Sequence, residues 1–477
     1  MANRRNLTYK EKVLAAGKKH KKKALPHSLV ALGLCIILLI SARLLEPEPS
    51  ASDVPDTEGS IFTASMVGDI MMGRHVEEVM NNHGDDYIFE HVAPVFEASD
   101  YTTGNFENPV ILNEDEYDSA DKIIHLFSKP RAVEALQNAH FTTINLANNH
   151  MMDYQLEGLE TTLRTFSRPE EAKPEDDTHL DPELSALLEA ELPQYDVQAI
   201  GGGRDLEDAM LPSYHTYDVN GQELTVATVG FNDVFYSAME QADDNSPGVL
   251  TTDPGYISDT LQAVEADLVI AHIHAGQEYD SAPTSRQKEL MRFMADAGAD
   301  IVVGHHPHVL QSVDIYNDSI IMYSIGNFVF DQGWTRTRDT VIANYQLQDD
   351  GQATLEMLPY RIFESQPRPL TGAAADLHKQ RIFRQLTKDT THTESIREND
   401  ERLIFEVDHS HVIERMNEPD EEENAPPEQT EESLEEEYDI EPPQETEEPQ
   451  QPNEGIIEDE PVEEGPTDGQ DEGHFSP

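Results

Sequence analysis

Six short apolar runs, Ile61–Val67, Thr142–Leu146, Leu224–Val229, Ala266–Ala271, Ile301–Val303 and Ile320–Ile325, alternate with helical patterns between residues 60 and 363. Several are too apolar to have a wet face, and strands of that kind belong to a sheet covered on both sides. Their alternation with helices predicts an α/β or mixed layered fold. The clearest helix is Thr284–Ala297. There Thr284 and Gln287 make a Thr-x-x-Gln capping box ahead of the apolar stripe Leu290, Phe293, Met294 and Ala297. A second helix is expected from Gln155 to Phe166, and the Pro- and acid-rich residues 167–196 read as a surface insertion. Residues 364–415 read as a helical or irregular C-terminal extension of the 60–363 domain.

Polar, ligand-type residues recur where the strands end. Ile61–Val67 leads into Gly68-Asp69 and then Arg74, Tyr101–Gly104 into Asn105-Phe106-Glu107, and Thr142–Leu146 into Asn148-Asn149-His150. Ala266–Ala271 leads into His272-Ile273-His274, Ile301–Val303 into Gly304-His305-His306-Pro307-His308, and Ile320–Ile325 into Gly326-Asn327. Five of the 20 histidines fall within residues 272–308. The carboxyl ends of strands are where α/β sheets build their sites. Imidazole, carboxylate and amide oxygen together suit Zn, Mn or Fe rather than Mg or Ca. A His-x-His just past a strand can aim two imidazoles at one site. Two such pairs with two carboxylates and an Asn are enough ligands for two metal ions, and metals about 3.5–4 Å apart stabilise in-line attack on phosphorus. His150, beside a candidate ligand, is placed to protonate a leaving oxygen. Taken singly each piece has a plainer reading: Gly68-Asp69 as a turn, Asn148-Asn149 as a helix cap, His272 and His274 as core histidines, Arg74 as an ion-pair partner, Glu107 as a loop carboxylate. Their joint placement after successive strands favours a metal site.

The ends of the chain are charged with opposite sign. Residues 1–25 hold nine Lys and Arg against the single acid Glu11, whereas residues 416–477 hold 25 acids and no Lys or Arg. The whole chain has 94 acids against 32 bases and a net charge of −62. That excludes nucleic acid as a partner, since affinity there comes from Lys and Arg neutralising phosphates. One cysteine, Cys35, excludes a disulfide scaffold and a Cys-type zinc site. The basic segment 1–23 precedes an apolar stretch, Ala24–Leu45, whose 22 residues would extend about 33 Å as a helix, long enough to cross a bilayer. The expectation is an uncleaved transmembrane anchor, with its lysines cytoplasmic and the body outside the cell membrane. Residues 46–59 read as a linker, and 416–477 as a disordered acidic tail.

The motifs GDIMMGR, NFENP, LANNHMMDY, GGGRDLEDA, HIHAGQEY, GADIVVGHHPHVLQSVDIY and YSIGNFVFDQ, in this order over about residues 60–335, resemble those of CapA-type poly-γ-glutamate capsule biosynthesis proteins, within the calcineurin-like metallophosphatase superfamily. The resemblance implies a four-layer α/β/β/α sandwich. It implies Asp69 on one metal, Glu107 as a shared carboxylate and Asn149 on the second metal. His272 or His274, His306 and His308 would complete the set, with His150 as catalytic acid and Arg74 beside it. Where the wider superfamily has Asp-x-His this chain has Met71 in the third position, and Glu107 stands where a bridging Asp is usual. The implied partners are the anionic γ-glutamate polymer and other membrane subunits of its synthase. Two other readings stay open on the sequence: a surface phosphoesterase for small phosphate esters, and a non-catalytic scaffold.

Overall fold

The computed structural model describes residues 8–44, 54–169, 171–172, 180, 182–372, 374–390, 395–398 and 401–417. Residues 46–53 of the expected linker lie outside them, as do the expected tail from 418 onward and part of the expected insertion at 167–196.

Two sheets carry the body. The larger has eleven strands. Its main path runs Ile396–Glu398, Leu403–Asp408, Gln352–Phe363, Asp339–Gln348, Ser60–Ile70, Tyr101–Phe106, Thr143–Asn145, Tyr195–Ile200, Phe166–Ser167, with Asn327–Val329 and Gln366–Pro369 attached beside it. The smaller has six, in the order Val313–Tyr316, Ser319–Met322, Ile301–His305, Leu268–His274, Gln222–Asn232, Ser213–Val219. The apolar runs of the sequence are the middle strands of both, and they pair in parallel.

Phe62, Ala64 and Met66 of the large sheet share a core with Leu224, Val226, Leu268, Ile270, Ile301 and Val303 of the small one, so the two sheets face each other. The opposite face of the large sheet is covered by the helices Arg74–His83, Pro130–Asn138 and Gln155–Thr165. The opposite face of the small sheet is covered by Pro254–Gln262 and Ser285–Asp296. The fold is therefore mixed α/β, with strands buried on both faces, which is why their sequences lack alternation. The capping box is present: Thr284 Oγ1 accepts from Gln287 N at 3.1 Å, and Gln287 Oε1 accepts from Thr284 N at 2.9 Å.

Two glycines hold the strand ends close together. A Cβ on Gly68 would lie 1.8 Å from the Gly326 carbonyl oxygen, and one on Gly304 would lie 2.1 Å from that of Tyr323. Only the absence of a side chain lets these backbones approach, and each glycine precedes ligand-type residues.

The 364–415 region is a correction to the sequence reading. It does hold the helices Ala375–Leu386 and Ser410–Asn417, but it also completes the large sheet: Leu403–Asp408 pairs antiparallel with Gln352–Phe363, and Leu403, Phe405 and Val407 enter the intersheet core. The helix Ala375–Leu386 adds Ile382, Phe383 and Leu386 to that core. Within the insertion, Leu184 and Leu188 of the helix Pro182–Glu191 pack with Ile111, Tyr117 and Tyr154, so this part lies on the body as a packed element. The apolar stretch at the amino end lies on the helix Tyr9–Leu44, with Leu29, Val30 and Ile37 exposed. Among the described residues, no helix is long and apolar enough to cross a membrane.

The last helix, Ser410–Asn417, is held by buried Asp300, whose carboxylate accepts two bonds from Arg415 at 2.9 Å and faces His411 at 2.8 Å. Beside it, His409 Nε2 faces the Asp318 carbonyl at 2.9 Å and Nδ1 faces the Tyr345 hydroxyl at 2.8 Å. Burial pushes the His409 imidazole down to about 4, against Asp300, which favours its charged form. An unfolded histidine titrates near 6.5, so between these values the unfolded chain binds the extra proton and stability falls as pH falls. The loss levels off below the folded value, at roughly 3 kcal/mol for this one group. Denaturant unfolding of wild type and His409→Gln between pH 7 and 4 should show a shallower acid limb in the variant; parallel limbs would refute this.

Candidate metal centre

The carboxyl ends of the parallel strands meet where the two sheets face each other. Register places Asp69, Asn105 and Asn145 in one row across the large sheet, and Asn232, His274 and His305 in one row across the small sheet. His272 and His274 lie within the strand Leu268–His274 rather than beyond it, as the sequence reading had them. The segment after Ile301–His305 turns sharply: His306 has φ 93° and His308 φ 56°, left-handed values uncommon for residues with a Cβ. Such conformations cost on the order of 1–3 kcal/mol each and persist only where the surroundings over-determine them.

Asp69 is fully buried. Its Oδ1 accepts from Asn105 Nδ2 at 2.9 Å and lies 3.3 Å from His305 Nδ1. Its Oδ2 lies 3.2 Å from His308 Nδ1 and accepts from His306 N at 3.4 Å. Burial works against the charge, but His305 and His308 more than offset it and hold the carboxyl well below the usual carboxylate range.

Glu107 is also fully buried, and neither carboxylate oxygen has a hydrogen-bond partner. Its Oε1 lies 3.6 Å from His308 Nε2 and 3.7 Å from His274 Nε2. Burial, joined by the nearby charge of Asp69, raises its pKa well above the ordinary value against the pull of His308. A buried acid left with both oxygens unsatisfied is costly unless something positive occupies the space before it.

Two groups of ligand atoms share this residue: Asp69, Glu107 and His274 form one, and Glu107, His306 and His308 the other, all buried, with the atoms of each group within 4.8 Å of one another. Asn149 joins the first, its Oδ1 2.9 Å from His274 Nε2 and its Nδ2 donating to the Tyr236 hydroxyl at 3.2 Å. His306 Nδ1 lies 3.1 Å from His274 Nε2, linking the groups. His308 Nδ1 faces Asn327 Oδ1 at 2.9 Å, leaving Nε2 directed at Glu107. That is how a ligating imidazole is usually oriented from behind. Burial keeps His274 well below its ordinary pKa and pushes His306 down to about 4, so both present neutral imidazoles. His308 is pushed the other way, up to about 10, because Glu107 and Asp69 outweigh its burial. The donor set fits divalent metal: nitrogen and oxygen ligands around an unsatisfied carboxylate placed to be shared.

His150 stands next to Asn149. Its Nδ1 faces Asp153 Oδ2 at 2.8 Å, and Asp153 also pairs with buried Lys122. Lys122 Nζ donates to the Asn149 carbonyl at 2.7 Å, tying the acid–imidazole pair to the ligand loop. Burial lowers the His150 pKa despite Asp153; Asp153 itself is held low by His150 and Lys122 in spite of burial.

Of the residues singled out in the sequence, Asp69, Glu107, Asn149, His274, His306 and His308 converge. His272 does not: both its ring nitrogens are engaged elsewhere, with Thr103 Oγ1 at 3.0 Å and His305 Nε2 at 2.9 Å. Arg74 is bound to Asp331, with Nε donating to Oδ2 at 3.0 Å, and belongs to neither ligand group. Sequence reasoning missed Asp153 and Lys122, and gave no role to Asn105, Asn327 or His305. Asn105, Asn327 and His305 had the signal of a strand-end position, Asp153 only its i,i+3 spacing from His150.

Residues 63–170 and 183–332 match the family model described as "Bacterial capsule synthesis protein PGA_cap". The chain is 42% identical to "Capsule biosynthesis protein CapA" of Bacillus anthracis, over 87% of this chain and 94% of that one. It is 40% identical to "PGA biosynthesis protein CapA" of Bacillus subtilis, over 85% and 98%. Among solved structures, the calcineurin-like phosphoesterase YfkN from Bacillus subtilis is 12% identical, covering 68% of this chain and 96% of that chain at a TM-score of 0.33, too slight a likeness to carry an argument.

Proposed function

The chain belongs to the bacterial capsule synthesis protein PGA_cap family, and from that premise we propose that it serves γ-glutamate polymer synthesis or export through a metal-dependent phosphoesterase-like site. The observation that carries the site is Glu107, buried with both oxygens unsatisfied and shared by two ligand groups beside the His150–Asp153 pair. On this reading the layered body is a metallophosphatase-like sandwich. The stretch 24–45 anchors it in the cell membrane with the site outside, next to other subunits of a polymer synthase.

Asp69, Glu107, Asn149, His274, His306 and His308 would hold two divalent cations (Mn, Fe or Zn). Bound there, such ions supply Lewis-acid polarisation of a phosphoryl group and neutralise the charge that builds up in the transition state. The chain's own residues do the rest. Asp153 accepts a hydrogen bond from His150 Nδ1–H, which leaves the Nε2 proton to be handed to the departing oxygen. Burial depresses the His150 pKa in the free site, and a phosphoryl anion beside it restores the proton. Tyr236, bonded to Asn149, fixes the amide that faces His274.

The test combines metal analysis of the purified full chain, turnover of an aryl phosphate, and polymer output from a strain carrying Asp69→Ala with His306→Ala. Bound metal, turnover and lost polymer are expected. A chain that takes up no metal and hydrolyses nothing refutes the hydrolytic site, while normal polymer from the double variant refutes its part in synthesis.

A further inference from the structure

Behind the ligand groups, three residues with no role in the reading above form a buried row. Thr103 Oγ1 lies 3.0 Å from His272 Nε2, His272 Nδ1 lies 2.9 Å from His305 Nε2, and His305 Nδ1 lies 3.3 Å from Asp69 Oδ1. The two imidazoles stack with centroids 5.2 Å apart and planes 10° apart, and Thr103, His272 and His305 are fully buried. They come from three strands in two sheets: Tyr101–Phe106, Leu268–His274 and Ile301–His305.

The end of the row sets its direction. His305 Nδ1 is buried without a hydrogen-bond partner and stands 3.3 Å from Asp69 Oδ1; an ionised Asp69 can only accept, so the tautomer that suits this approach carries its proton on Nδ1. In that tautomer His305 Nε2 is the acceptor, so His272 Nδ1 donates to it. His272 Nε2 is left as acceptor, and the Thr103 hydroxyl donates. Every proton then points toward Asp69; both nitrogens of His272 are engaged within the row, and His305 belongs to neither ligand group.

Asp69 divides accordingly. Oδ1 accepts from Asn105 at 2.9 Å and has His305 Nδ1 3.3 Å away, whereas Oδ2 accepts from His306 N at 3.4 Å and lies 3.2 Å from His308 Nδ1. We propose that His305 and His272 are positioning residues rather than ligands: with Thr103 they fix the carboxylate of Asp69 so that Oδ2 is the oxygen offered to metal. This rests on the metal reading of the site, and it resolves the choice between His272 and His274 in favour of His274.

The test uses Mn²⁺ with the full chain, measuring its dissociation constant and, by pulsed electron-paramagnetic-resonance detection of coordinated nitrogen, the number of imidazoles on the metal. His305→Ala and His272→Phe are expected to weaken Mn²⁺ binding about 10–100-fold, the usual effect of losing a partner behind a ligand. Both should keep the wild-type imidazole count. His305→Asn, which puts an amide N–H where Nδ1 stood, should recover affinity to within a few-fold of wild type, and Thr103→Val should cost least. Loss of one coordinated imidazole in His305→Ala or His272→Phe would show a ligand and overturn the proposal. Unchanged affinity in both would show that the row positions nothing. If His305→Ala does not fold, His305→Asn and His272→Phe decide on the same two readings. Wild-type protein that binds no Mn²⁺ fails at the earlier step, the metal reading itself, and takes this proposal with it.

Discussion

Glu107→Gln is expected to leave a folded chain that retains no divalent metal at micromolar concentration and hydrolyses phosphate esters at least 10³-fold more slowly, because one change removes the carboxylate shared by both ligand groups. The metal-free protein should tell an opposite story. Glu107 is buried with both oxygens unpartnered, and an isosteric amide removes the prospect of a bare charge there. The metal-free variant should therefore melt no lower than metal-free wild type. Added metal at 100 times its dissociation constant should stabilise wild type by about 2.7 kcal/mol and leave the variant unmoved. Calorimetry with and without Mn²⁺, alongside elemental analysis, checks both halves. A variant that keeps the full complement of ions would disprove the shared role of this residue.

The second large effect concerns His150. Replacing it with Gln should slow hydrolysis of an alkyl phosphate by 10²–10⁴, the usual range for a lost general acid. The loss should be much smaller for an aryl phosphate whose leaving group departs without a proton. Asp153→Asn should follow the same pattern more weakly, since it disturbs the 2.8 Å contact that fixes Nδ1 while leaving Nε2 in place. Metal content should be unchanged in both. Equal losses on the two substrates would mean that His150 binds or orients rather than protonates.

Much of this site could be read from residue order. A strand buried on both faces has no use for Asp, Asn or His until it reaches an edge, so the polar residues following each apolar run marked a common rim. Asp69, Glu107, Asn149, His274, His306 and His308 stand among those residues, and the family resemblance is what singled them out as a set, with His272 as the alternative to His274. The boundary between ligand and support was not legible. His272 and His274 are two residues apart on one strand, so they point to the same face, and sequence treats them alike. What separates them is their surroundings in space: His274 sits beside Asn149 and Glu107, His272 beside Thr103 and His305.

Arg74 was ambiguous for a similar reason. Its partner, Asp331, is 257 residues away, and nothing local to either residue announces the pairing. The strand Leu403–Asp408 was missed although its alternate residues are the more buried ones, because Ile404 and Glu406 blur the contrast between its faces. Asn105 and Asn327 were visible as polar residues at strand ends, but an amide gains its function only from the imidazole or carboxylate that another chain segment brings beside it.

The ligand groups draw on both halves of the body, with Asp69 and Glu107 from strand ends of the large sheet and His274, His306 and His308 from strand ends of the small one. An ion held there acts as a rivet through a seam. A nascent chain with only one half formed owns carboxylates without imidazoles, or the reverse, and stays inert. On the proposed metal reading, chemical competence would arrive only once the seam has closed.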